Sequence, residues 1–168
     1  MRALELFIRT VTRIAWMLAI IGITGLVVLS CSIAADVIMR YCFNAPITGV
    51  RDLLSLFIAV CVGLTMPVLL MKEGNIAVEF IVLVVGKKVG SILAVLANIL
   101  TACIFMGIAW EVWKAAEYMG ENNEVTQVLG VPLEPWWTLV AACFLFASIA
   151  ALTPIINGIR NLSTPKEA

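Results

Sequence analysis

Four stretches of this chain carry no Asp, Glu, Lys, Arg or His, and each is long enough to cross a bilayer as a helix. They run from Ile14 to Ala35, Leu53 to Met71, Val89 to Trp110 and Pro135 to Ile159, which is 22, 19, 22 and 25 residues. A helix needs roughly 17–25 apolar residues to span the hydrocarbon core. Together the runs hold 88 of 168 residues, more apolar surface than a soluble domain of this size can bury. Charged residues are 13% of the chain, about half the usual share in soluble domains. A transmembrane β-barrel would instead show short alternating segments. A signal peptide has a shorter apolar region and a small-residue cleavage site, whereas the first run ends at Asp36 and Arg40 without one. The chain reads as a single all-α integral membrane domain over 1–168. Its four transmembrane helices fall at about 14–38, 52–71, 88–113 and 135–159, with short amphipathic, interfacial segments at 1–13 and 74–86.

Charge between the runs sets an expected orientation. With four spans, both termini and the segment after span two share one side. That side carries Arg2, Arg9, Arg13, Lys72, Lys87, Lys88, Arg160 and Lys166; the other carries Arg40, Arg51 and Lys114. The positive-inside rule places the richer side, and hence both termini, in the cytoplasm. Basic residues are too dispersed to suit nucleic acid.

The connecting segments carry the remaining detail. Arg2, Glu5, Arg9 and Arg13 recur at helical spacing among apolar residues. This suits either a helix lying at the membrane surface or an inward extension of span one. Asp36 and Arg40 are four apart and share a helix face. Asn44, Pro46 and Gly49 punctuate the turn that follows. Asp52 opens span two, where a carboxylate either caps the helix or makes a helix or subunit contact. Residues 76–85 are mostly apolar but too few to cross, so they are expected to lie along the interface or against protein. Lys87 and Lys88 then meet anionic lipid headgroups. Beyond span three, Glu111, Glu117, Glu121 and Glu124 make an acidic outer segment, and Gly130, Pro132 and Pro135 break the helix. Trp110, Trp113, Trp136 and Trp137 fit an aromatic belt.

Inside the runs nothing supports catalysis. There is no His in the chain, no nucleophile–base set, no phosphate loop and no metal-ligand spacing, so neither an enzyme nor a cofactor is expected. The five cysteines are unpaired in spacing, and the four within spans (Cys31, Cys61, Cys103 and Cys143) read as small buried hydrophobes. Gly22, Gly25, Ser30, Ser32, Gly63, Thr65, Asn98, Thr101, Gly107 and Ser148 suit close helix packing and interhelical hydrogen bonds. Pro67 and Pro154 are expected to bend spans two and four. The absence of intramembrane charge removes the usual marks of proton relays and ion paths. From the residues alone a structural or assembly protein of some membrane complex fits, and so does a small self-sufficient channel or exporter built on carbonyls and hydroxyls.

The connecting segments resemble the small membrane subunit (DctQ-like) of tripartite ATP-independent periplasmic (TRAP) transporters, over roughly residues 14–160. Arg40, Phe43, Asn44 and Pro46 match the family's Arg and Phe-Asn-x-Pro at the first corner, and Asp52 with Leu53 matches its acidic residue before span two. Lys72, Gly74, Ile76 and Glu79 match the segment after span two, with Asn75 where the family commonly has His. Gly130, Val131 and Pro132 match a Gly-x-Pro before the last span. The resemblance implies a sodium-driven importer of organic acids of the C4-dicarboxylate, sialic acid or sugar-acid type. A periplasmic substrate-binding protein captures the acid and a large multi-span subunit moves it, sodium binding that large subunit. This chain would be the scaffold. Arg40, Asn44, Pro46 and Asp52 would hold the first corner, Lys72, Gly74 and Glu79 the cytoplasmic brace, and Gly130 and Pro132 the last turn. Glu117, Glu121 and Glu124 would meet the binding protein.

Overall fold

Hydrocarbon offers no hydrogen-bond partner, so an uncharged run must satisfy its own backbone, and a helix does so within one segment. The computed structural model describes residues 2–45, 49–71 and 87–163, and among these every long element is helical. Helix α1 is Arg2–Phe43, α2 is Val50–Met71, α3 is Lys87–Glu121, α4 is Glu134–Ala150 and α5 is Leu152–Ser163. Four stretches are long and apolar enough to cross a membrane: Glu5–Phe43, Val50–Met71, Val89–Glu121 and Glu134–Ile159. At 1.5 Å per residue α1 is about 63 Å long and α3 about 52 Å, well beyond the roughly 30 Å of hydrocarbon. Residues 2–13 are the first turns of α1 rather than a separate helix.

The fourth span is two helices. Pro154 has no N–H to offer the carbonyl four residues earlier, which belongs to Ala150, where α4 stops; α5 restarts at Leu152. Pro67 lies inside α2 without ending it.

The spans pack in the order α1, α2, α4, α3, with α5 continuing along α3 and no substantial contact between α1 and α3. This is an open row rather than a closed four-helix ring. Burial follows the row: 11% of the most apolar window is buried in α1 and α3, against 28% in α2 and 50% in the fourth span. Small residues make the seams. A Cβ on Gly22 would lie 2.8 Å from the Cys61 carbonyl oxygen, and one on Gly25 would lie 2.5 Å from Cys61 Sγ, so only glycine lets α1 approach α2 this closely. Ala15 and Ala19 of α1 meet Val68 of α2, with Met71 and Phe146 packed beside them.

Two expectations change here. Most hydroxyls in the spans bond back to their own helix rather than across it. Ser30 donates to the Leu26 carbonyl at 2.9 Å, Ser32 to Val28 at 2.9 Å, Thr65 to Val62 at 2.8 Å and Thr101 to Ala97 at 2.9 Å. The carbonyl one turn back is always within reach of a Ser or Thr side chain, so no neighbour is required. Ser148 does bridge helices, donating to the Ala102 carbonyl of α3 at 3.1 Å in a buried position. Of the cysteines, Cys61 and Cys143 are buried in the seams, but Cys31 and Cys103 face away from the other helices, as does Cys42. The two edge helices have more surface than neighbours to cover it.

Candidate functional site at the α1–α2 corner

The end of the molecule opposite the termini is built from three pieces: the end of α1, the start of α2, and the segment from α3 to α4. Helix α1 stops at Asn44, whose φ of 50° puts it in the left-handed region, a conformation Asn tolerates better than most residues. The Ala45 N–H closes the turn on the Met39 carbonyl at 3.3 Å. Gly49, at φ 90°, precedes α2, and the Leu53 N–H donates to its carbonyl at 3.2 Å.

Helix α3 ends in a Schellman cap. Asn123 is left-handed at φ 48°, its N–H donates to the Gly120 carbonyl at 3.1 Å, and the Glu124 N–H donates to the Met119 carbonyl at 2.9 Å. The chain then makes a tight antiparallel turn with one bridge between Val125 and Pro132. Its hydrogen bonds flank that pair: the Thr126 N–H donates to the Val131 carbonyl at 2.9 Å and the Leu133 N–H to the Glu124 carbonyl at 3.1 Å. Pro132 therefore sits at the pair position that needs no N–H. Thr126 closes the loop a second way, its Oγ1 accepting from the Val131 N–H at 3.0 Å. Gly130 supplies the left-handed residue, φ 63°, that the tight turn requires.

Asp52 joins this turn to α2. Its Oδ2 accepts the N–H of Val128 at 2.7 Å and that of Leu129 at 3.0 Å. No bond from its side chain to its own helix appears among the described residues, so the carboxylate ties two distant segments instead of capping α2. Gly49 reinforces the contact, since a Cβ there would come within 2.7 Å of the Leu129 side chain. One turn further along α2, the ring of Phe57 meets Trp136 at the start of α4, centroids 4.9 Å apart. Trp136 thus holds α2 to α4 besides suiting a membrane interface.

The other predicted site residues are distributed as follows. Arg40 pairs through Nη2 with Asp36 Oδ2 of its own helix at 3.0 Å, not with Asp52. Asn44 acts through its backbone conformation. Glu117 and Glu121 are exposed on the last turns of α3, while Glu124 is half-buried and its backbone closes the turn. Pro46, Lys72, Gly74 and Glu79, with the segment 74–86, lie outside the described residues. Sequence reasoning missed Thr126, Val128 and Leu129. Two of these act through backbone N–H groups, which leave no mark on side-chain identity, and they stand 76 and 77 residues from Asp52.

Among the described residues no group of His, Cys, Asp or Glu could hold a metal ion, and no pair of reactive side chains is set for proton or acyl transfer. The fold and site define a class: a multi-span helical membrane protein whose polar groups fasten its own segments together. Residues 29–161 match the family described as tripartite ATP-independent periplasmic transporters, DctQ component. The chain belongs to this family. Comparisons with curated proteins and with solved structures returned no match.

Proposed function

We propose that this chain is the small accessory subunit of a sodium-driven, binding-protein-dependent importer of organic acids, where it is a static support for the large transport subunit. The observation that carries this reading is the open row. A chain that transports as a monomer encloses a path, but here α1 and α3 remain at opposite edges, largely uncovered, with Ile, Leu, Val, Met and Trp side chains outward. The Asp52 clamp ties α2 to the turn before α4, which suits a support. In lipid, helices associate through van der Waals packing of such surfaces, so the edges suit a second membrane protein.

In this reading both termini are cytoplasmic. Arg40, Asn44, Pro46 and Asp52 hold the corner, and Gly130 with Pro132 shapes the turn Asp52 grips. Lys72, Gly74 and Glu79 brace the cytoplasmic side, and Glu117, Glu121 and Glu124 face the periplasmic substrate-binding protein. The sodium and the organic acid bind the partners. Co-purification from native membranes tests the role: a large multi-span protein and a soluble substrate-binding protein accompany the chain. Sodium-dependent uptake by proteoliposomes holding this chain alone would overturn it.

A further inference from the structure

A cleft of about 560 Å³ opens between the last turns of α1, the first turn of α2 and Val128 of the clamped turn. Arg40, Arg51 and Asp36 form its charged rim, and its apolar wall is made by Val37 beside Asp36 and by Ile33 and Leu54 deeper in the span. Asp36 is the better buried of its pair, with 14% of its side chain exposed against 52% for Arg40. It therefore fixes one edge of the Arg40 fork. A guanidinium has five N–H donors, so most of this fork remains available. Among the described residues the ion pairs are Arg40–Asp36 and Lys114–Glu111, and Arg51 is in neither. Two guanidinium groups and one carboxylate line the cleft, one positive charge in excess.

Arg40 reaches back to Asp36, and Ile33 lies three residues beyond Asp36, as Leu54 lies three beyond Arg51, about 4.5 Å along each helix toward the middle of the span. A charged layer above apolar side chains matches a phosphodiester with the first carbons of an acyl chain beneath it. We infer that this cleft binds one phospholipid from the leaflet opposite the termini. Its phosphodiester sits between Arg40 and Arg51, and the upper part of one acyl chain lies on Ile33, Val37 and Leu54. Planar forks suit phosphate oxygens, and a single phosphodiester charge completes the rim. Free phosphate would leave the wall unused. The edge position of α1 keeps the wall open to the bilayer, and the Asp52 clamp holds Val128 in place beside it.

Native mass spectrometry of the full chain, released from nanodiscs of phosphatidylglycerol and phosphatidylethanolamine, tests this. The wild type is expected to retain one lipid, and the Arg40→Gln/Arg51→Gln variant to hold it about tenfold or more weakly through loss of charge-assisted hydrogen bonds. Val37→Trp, which fills the wall and leaves both arginines, is expected to weaken retention as well; it serves if the arginine variant misfolds by circular dichroism. Retention unchanged in a folded arginine variant, or in Val37→Trp, would overturn the site. Displacement of the lipid by millimolar inorganic phosphate would assign the rim to a free anion instead. Loss of the large partner from the arginine variant, with lipid retention unchanged, would assign it to a protein contact.

Discussion

Asp52 and Val128, 76 residues apart in the chain, are joined by a hydrogen bond of 2.7 Å from the Val128 N–H to the Asp52 carboxylate. The same oxygen takes the Leu129 N–H, so one side chain sets the position of a whole turn against α2. Asp52→Ala removes the acceptor from both groups, while Asp52→Asn keeps an amide oxygen able to accept them. Hydrogen exchange in nanodiscs is expected to show the amides of Val128 and Leu129 losing protection in Asp52→Ala and partly keeping it in Asp52→Asn. The helix interiors are expected to be unaffected, and equal protection in the alanine variant would mean that the turn stands without the clamp.

Gly49 and Gly130 are both left-handed, but their surroundings differ, and so do the expected costs. A Cβ on Gly130 meets nothing within 4 Å, so Gly130→Ala costs only the backbone penalty of roughly 1–2 kcal/mol. At Gly49 the Cβ also runs into the Leu129 side chain, at 2.7 Å, adding overpacking of about 1–3 kcal/mol. Equilibrium unfolding in detergent is expected to rank Gly49→Ala as the more damaging. Adding Leu129→Ala should recover the steric part and leave the backbone part, a non-additivity measurable as a double-mutant cycle.

The four spans were legible because loss of charge is a one-dimensional signal. Their ends were less so. Charges mark where a span reaches the headgroups, yet α1 continues through Asp36 and Arg40 to Phe43 and α3 through Glu111 and Glu117 to Glu121. A helix in the interface tolerates charge and stops only at a terminator, here Asn44 and Asn123 with positive φ. The row order α1, α2, α4, α3 rests on shape, such as the Gly22 approach to Cys61, and many glycines in the spans look alike in sequence. Gly107 shows this: it stood beside Gly22 as a packing residue, but a Cβ there meets nothing within 4 Å.

That contrast between glycines is itself testable. Gly107→Ala adds a methyl to open space on a helix and is expected to stabilise the isolated chain by up to about 1 kcal/mol. Gly22→Ala drives a methyl into the Cys61 carbonyl and Leu64, backbone and stem atoms that cannot rotate away, and is expected to destabilise by about 1–3 kcal/mol. Steric trapping or detergent unfolding reads both. The same sign for the two variants would mean that α1 and α2 do not approach as closely as described.

Ser148 and Ser30 separate the two fates of a hydroxyl in a span. Ser148→Ala removes a bond between helices, to the Ala102 carbonyl, expected to cost about 0.6 kcal/mol, the average for such bonds in a membrane protein. Ser30→Ala removes a back-bond within α1 and is expected to change stability little. The difference reads which hydroxyls join α3 to α4.

The last turns of α3 present Glu117 and Glu121, both exposed and four residues apart, so they share one helix face. On the proposed role this face meets the periplasmic substrate-binding protein, and exposed charge acts more on encounter rate than on the strength of the final contact. Glu117→Gln/Glu121→Gln is therefore expected to slow association of the binding protein with the complete complex at low salt. Its dissociation rate is expected to change little. The difference from wild type is expected to fade once the screening length falls to about 3 Å near 1 M salt. Surface plasmon resonance over a salt series measures all three. Association rates that match wild type at every salt concentration would remove these carboxylates from the docking surface. A change confined to dissociation would place them inside a tight contact rather than at its approach.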